Sequence, residues 1–235
     1  MKSQKILRVH HNSITYSEHN WTLLKNRRVN ATKLLKIFVK EGLNPFVYGS
    51  VARGDVNESS DIDIIFIQTI PPFQIEYILN KNGFENYFRE IIMATPLDSI
   101  KLYIHLSELE SITIPLSKLG KNVLEFYDFG GKINLNDLNS GVRVPGIDKR
   151  LVLIKPNLKG HEEFSIIGNE SFAAKEAGVS LDIVNERIRV LLKREKFGKT
   201  GVFLKRNLHL NESTEEVLKT LAKKKAIIRK KLFKV

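Results

Sequence analysis

Asp61 and Asp63 stand one residue apart in "DIDIIF", a run that is otherwise apolar. On a strand, side chains two residues apart share a face. The alternation sends Ile62, Ile64 and Phe66 one way and two carboxylates the other. At the Cα atoms the pair is held about 6–7 Å apart by the strand rise. Like charges at that spacing repel unless a cation lies between or beside them. Magnesium binds in such places through one or two carboxylates completed by substrate phosphates. Upstream, Gly49-Ser50 ends the short apolar stretch "PFVY". Glycine lets a backbone come close to a ligand, and exposed N–H groups with a serine hydroxyl hold phosphate oxygens. A metal pair beside a phosphate cradle is the equipment of phosphoryl-transfer chemistry. Either feature alone is ordinary, since Gly-Ser is commonly just a turn and Asp-x-Asp a solvated face. The two in this order and at this spacing are specific.

Periodicity supplies the elements that must hold these residues. Leu23, Leu24, Ala31, Leu34, Leu35, Phe38 and Val39 recur at helical spacing, which predicts a helix over 20–41. Pro45 breaks it, and Phe46-Val47-Tyr48 reads as a buried strand. A second strand is expected over 61–68, a helix over 73–80 and strands over 85–95, 99–107 and 112–116. Residues 118–161 are dense in turn signals and read as a β-rich connector. Residues 162–235 read as helical and basic.

At this point "GSVARGDVNESSDIDIIF" resembles the signature of the DNA polymerase β-like nucleotidyltransferase superfamily. The likeness covers roughly the first 110 residues. Ala-Arg-Gly after Gly-Ser, and the serine before Asp-x-Asp, are similar to the minimal prokaryotic members. The whole chain resembles a group of archaeal nucleotidyltransferases with a helix-turn-helix tail. The resemblance implies an α/β (α+β) fold: a mixed-sheet nucleotidyltransferase domain over 1–110, a connector over 111–162 and a basic, winged helix-turn-helix-like domain over 163–235. It implies Mg2+ (or Mn2+), an NTP, and transfer of a nucleoside monophosphate to a hydroxyl. Gly49 and Ser50 then hold the triphosphate, and Asp61 and Asp63 ligate metal. Arg53 is a phosphate contact or a surface arginine, and Ser60 a phosphate contact or a turn cap. The family adds a third carboxylate on a later strand, as metal ligand and general base. Glu90 holds the best strand position for it, with Asp98, His105 and Glu108 as alternatives.

In "SFAAKEAGVSLDIVNERIRVLLKRE", Ala174, Gly178 and Val184 have helix-turn-helix spacing. Val179, Ile183, Val184, Ile188 and Leu191 form its apolar stripe, and Ser180 caps its second helix. Asp182, Asn185, Glu186 and Arg189 face outward, and the acids among them count against tight DNA reading. "GKTGVFLKR" reads as a wing. The alternative is a helical hairpin that packs on the first domain or makes a dimer. Arg143, Asp148, Lys149, Arg150 and His161 either line an acceptor site or are surface charge.

The bulk numbers agree with a nucleotide-handling protein. Lys and Arg outnumber Asp and Glu by 38 to 26, a net charge of +12 that favours polyanionic partners, although a lysine-rich solubilising surface gives the same balance. Cysteine is absent, which excludes disulfides and thiolate metal sites. No apolar run approaches a membrane span, and a cytoplasmic location is expected. The second reading of the chain is a nucleotide-sensing, nucleic-acid-binding regulator with an inactive catalytic domain. The oligomeric state is open.

Overall fold

The computed structural model describes residues 5–198 and 201–233. Strand β1 (His11–Thr15) leads into the long helix α1 (Glu18–Val39). Ser17 starts that helix two residues earlier than periodicity suggests, because Ser17 and Asn20 cap each other's backbone N–H groups. Leu24, Ala31, Leu34, Leu35 and Phe38 form its buried stripe. Strand β2 (Phe46–Tyr48) follows, then the single turn α2 (Ser50–Arg53) and strand β3 (Ile62–Ile65). Helix α3 (Pro72–Lys81) and strands β4 (Phe88–Met93), β5 (Lys101–His105) and β6 (Glu110–Pro115) complete the first part.

The connector departs from its β-rich expectation. It contains helices α4 (Lys121–Gly130) and α5 (Leu135–Asn139) besides strands β7 (Lys132–Ile133), β8 (Gly146–Ile147), β9 (Val152–Asn157) and β10 (Gly160–Ser165). Phe126 and Tyr127 look like strand residues in sequence. They sit on a helix because their rings pack with Phe46, Tyr48 and Ile65 on the sheet below. Asn134 starts α5 by accepting the N–H groups of Asn136 and Asp137. Helices α6 (Glu170–Ala177) and α7 (Leu181–Phe197) meet at Gly178, which adopts the left-handed backbone (φ 66°) that closes the first helix. Ser180 caps the second, as expected. Strand β11 (Leu204–Leu208) and helices α8 (Thr214–Lys224) and α9 (Ala226–Leu232) end the described chain.

Two sheets result. The larger runs β11-β4-β5-β6-β3-β2-β7, and the smaller is the antiparallel β1-β10-β9-β8. In the larger, only the β3–β6 pair is parallel. One face of this sheet, with Val47, Ile62, Ile64, Leu102, Ile104, Ile112 and Ile114, joins α1 and α3 in the main core. The mixed α/β architecture agrees with the expected fold class.

The last block of the chain is distributed rather than segregated. Helices α6 and α7 pack with Leu151, Leu153 and Ile166 of the smaller-sheet region. Leu204, Leu208, Leu218, Ala222 and Ile228 instead enter the main core. The wing expected over 198–206 has Lys199 and Thr200 outside the described residues, and its Leu204 starts β11, which pairs antiparallel with β4. Without β11, β4 would present an open edge. Arg89 of β4 fastens the return: Nη2 donates to the carbonyls of His209 and Glu212 (both 2.9 Å), and Nη1 pairs with Glu76 (2.9 Å). Among the described residues no helix is long and apolar enough to cross a membrane.

Candidate active site

Register builds the site. Tyr48 pairs with Asp63, Asp63 with Ser111, and Ser111 with His105, giving one row across β2, β3, β6 and β5. Paired residues point to the same face, so this row lies opposite the Ile62–Ile64 core. Ser111 donates its hydroxyl to Asp63 Oδ1 at 2.6 Å. Asp61 lies just before β3 and is exposed. The β2–β3 ladder ends at the Tyr48–Asp63 pair, with Gly49 and Ser50 following directly after β2 and Asp61 directly preceding β3. The antiparallel pairing therefore brings the Gly49-Ser50 turn and the two aspartates to the same end of the β2–β3 pair.

Burial beside a second carboxylate sets Asp63 apart. Among the described residues no cationic side chain lies within 4 Å of Asp61 or Asp63. Burial, then the charge of Asp61, pushes the Asp63 carboxyl above its usual range, against the Ser111 hydrogen bond and the more distant charges of Lys149 and His105. An exposed and a half-buried carboxylate stand together with no ion-pair partner among the described residues, which fits a divalent cation. Among the described residues no three His, Cys, Asp or Glu side chains form an all-protein metal cage. A pair completed by substrate phosphates is the arrangement magnesium accepts.

Gly49 turns the chain at φ 80°, ψ −140°, a conformation reserved almost entirely for glycine. Its carbonyl accepts the Ala52 and Arg53 N–H groups and starts α2. Among the described residues the Ser50 hydroxyl makes no hydrogen bond, which leaves it free for a ligand. An alanine Cβ at position 49 meets nothing within 4 Å, so the cost of Gly49→Ala is backbone strain alone. That strain is about 1–3 kcal/mol, and we expect a melting-temperature drop of roughly 2–4 °C per kcal/mol. NTP binding should weaken as well, because relief of the strain moves Ser50. A thermal melt with an NTP titration checks both, and an unchanged variant would remove Gly49 from the site.

Three sequence candidates lie elsewhere. Glu90 pairs with Tyr103, which pairs with Thr113, which pairs with Ile65. It shares the face of Asp63 but stands three strand spacings from β3, roughly 14 Å at about 4.8 Å each. It is also already neutralised: Lys205 Nζ is 2.7 Å from Oε2, and His105 Nε2 3.1 Å from Oε1. Burial raises its pKa, but those two partners prevail and hold it below the usual range. Arg53 is buried, with Nε and Nη2 on the Asp55 carboxylate (3.0 and 2.9 Å) and Nη1 on the Gly130 carbonyl (2.6 Å). It braces α2 against the end of α4 instead of facing a phosphate. Ser60 is buried and accepts the Asn57 N–H at 2.9 Å, the turn-cap alternative.

Of the connector cluster, Arg150 is tied to Asp148 and Glu163, and His161 Nδ1 meets Tyr16 Oη at 2.7 Å. Lys149, between β8 and β9, is the member whose charge reaches Asp63. Ser111 escaped sequence reading altogether, since only the β3–β6 register reveals it. Helix α7 leans on α4: the Ser180 hydroxyl donates to Glu125, Asn122 donates to Glu186 (3.2 Å), and Arg187 lies over Phe126, 4.8 Å from its centroid.

Residues 31–119, which take in the C-terminal part of α1, the Gly49-Ser50 turn, both aspartates and β6, match the nucleotidyltransferase domain family. No curated protein and no solved structure matches the chain.

Proposed function

We propose that this protein transfers a nucleoside monophosphate from an NTP to a hydroxyl of a nucleic-acid or protein acceptor, with Mg2+ or Mn2+. The observation that carries the reading is the Asp61–Asp63 pair, without an ion-pair partner among the described residues, at the same end of the β2–β3 pair as the Gly49-Ser50 turn. The nucleotidyltransferase match over 31–119 supports the same chemistry. Asp61 and Asp63 would hold the cation, which when bound stabilises charge on the attacking and leaving oxygens. Ser111 fixes the rotamer of Asp63. The Ser50 hydroxyl and the adjoining backbone take the triphosphate oxygens, and the Arg53–Asp55–Gly130 brace keeps that turn rigid. The acceptor oxygen bonds to the α-phosphorus, the bond to the bridging oxygen of pyrophosphate breaks, and the hydroxyl proton goes to solvent.

The second reading, a nucleotide-sensing regulator that binds nucleic acid, is favoured by the placement of Glu90. No third carboxylate stands beside the pair among the described residues. Incubation with α-labelled NTP, Mg2+ and mixed RNA or protein acceptors separates the two. Label transferred to an acceptor is expected. Nucleotide bound without transfer would sink the transferase reading and favour the sensor.

A further inference from the structure

Away from the aspartates, a groove of about 620 Å³ runs between α1 and the loop after α5. Five cationic side chains line it, Lys25, Arg28, Lys33, Lys36 and Arg143, together with Trp21 and no carboxylate. Among the described residues none of the five has a carboxylate partner within 4 Å. The buried arginines Arg53 and Arg89, by contrast, are paired with Asp55 and Glu76. Lys25, Lys33 and Lys36 are exposed. Lys25 and Lys36 span about 16 Å of helix at about 1.5 Å per residue.

Two of the cations are held where they repel. Arg28 donates from Nε to the Val51 carbonyl (3.2 Å) and from Nη2 to the Ala52 carbonyl (3.1 Å). Arg143 donates to the carbonyls of Gly160 and Asn157 and lies over the Trp21 ring, 5.0 Å from its centroid. Backbone carbonyls satisfy their hydrogen bonds without cancelling their charge. Burial, then the Arg143 charge, pushes the Arg28 guanidinium down to about 10. This is the mirror image of the aspartate pair: fixed like charges that an ion of opposite sign would relieve. The carbonyls held by Arg28 belong to α2, so the groove adjoins the far side of the Gly49-Ser50 turn. By contrast, the start of α7, the helix expected to read nucleic acid, is spent on Glu125, Asn122 and Phe126 of α4.

We infer that the α1 groove binds a single strand of nucleic acid by its phosphate backbone; this does not rest on the transferase reading. A row of cations without acids complements a polyanion, and an aromatic ring beside them suits an unpaired base.

Trp21 is the chain's one tryptophan, so its fluorescence reports this groove directly. Titrating full-length protein with an unlabelled 20-nucleotide RNA should change that emission in step with the anisotropy of a fluorescein-labelled copy. The variant K25Q/K33Q/K36Q should weaken RNA binding about tenfold or more. The slope of log K against log salt should fall by about 2, from roughly 0.7 per phosphate contact on a single strand. The control K219Q/K223Q/K230Q removes the same charge from α8 and α9 and should stay within about twofold of wild type. Equal losses in both variants, a silent Trp21 while RNA binds, or equal competition by polyglutamate would overturn the assignment. NTP binding is measured alongside. If wild type binds RNA in the groove but transfers no label, the transferase reading falls and the groove stands.

Discussion

Asp63→Asn is expected to lower nucleotidyl transfer on the order of a thousandfold, about 4 kcal/mol of barrier, in a protein that is folded at least as stably as wild type. The substitution keeps the shape and an oxygen that accepts the Ser111 hydroxyl, now 2.6 Å away. It removes half of the charge on which cation binding depends. The sign of the stability effect follows from the carboxyl itself. Burial, followed by Asp61, raises its pKa above the ordinary value. The native state therefore binds that proton more tightly than the unfolded chain does. Above the raised pKa the ionised group costs stability, and the cost vanishes as pH falls through the raised pKa and then the ordinary one. At neutral pH the asparagine variant should melt at or above the wild-type temperature, with the gap closing on acidification. Single-turnover transfer with melts across the acid range reads both. Full activity, or a variant that unfolds at neutral pH, would refute the assignment.

The aspartates, Gly49 and Ser50 stand out in the sequence as candidates because their signal is local: a two-residue alternation and a glycine after a strand. Ser180 and Gly178 were legible for the same reason. What failed depended on which strands become neighbours. Glu90 was plausible as a strand acid, but β5 and β6 lie between β4 and β3. Ser111, 48 residues from Asp63, gains its role only from the parallel β3–β6 ladder. Arg53 looks like a phosphate ligand when read beside Gly49-Ser50. Its side chain instead closes on Asp55 and on Gly130, 77 residues away. The helix α4 was hidden by aromatic residues whose helical state is set by packing on the sheet. The α1 groove was invisible for another reason: its lysines read as the solvent side of an amphipathic helix, and Arg143 joins them from the loop after α5, more than a hundred residues along the chain.

Removing everything after residue 198 is expected to abolish the cooperative fold of the nucleotidyltransferase domain, although that domain's family match ends at residue 119. A detachable basic tail would leave NTP binding intact and weaken acceptor binding alone. The structure argues otherwise, because β11 pairs with β4 from Arg89 to Met93 and four large apolar side chains go inward with this last segment. Leu204, Leu208, Leu218 and Ile228 are 7, 6, 9 and 0 % exposed. At about 1.5–3 kcal/mol for each buried side chain, their loss reaches roughly 6–12 kcal/mol, comparable with the about 5–15 kcal/mol that holds a domain together. Arg89 is left worse placed than before: it loses the His209 and Glu212 carbonyls and stays beside Glu76 on a newly opened edge. Ile228→Ala in the full chain provides the graded version, costing about 2–5 kcal/mol through the cavity it leaves. Thermal melts by circular dichroism, with NTP titration, test the series. A shortened chain that melts cooperatively within a few degrees of wild type and still takes NTP would show that the final strand and helices decorate the core instead of completing it.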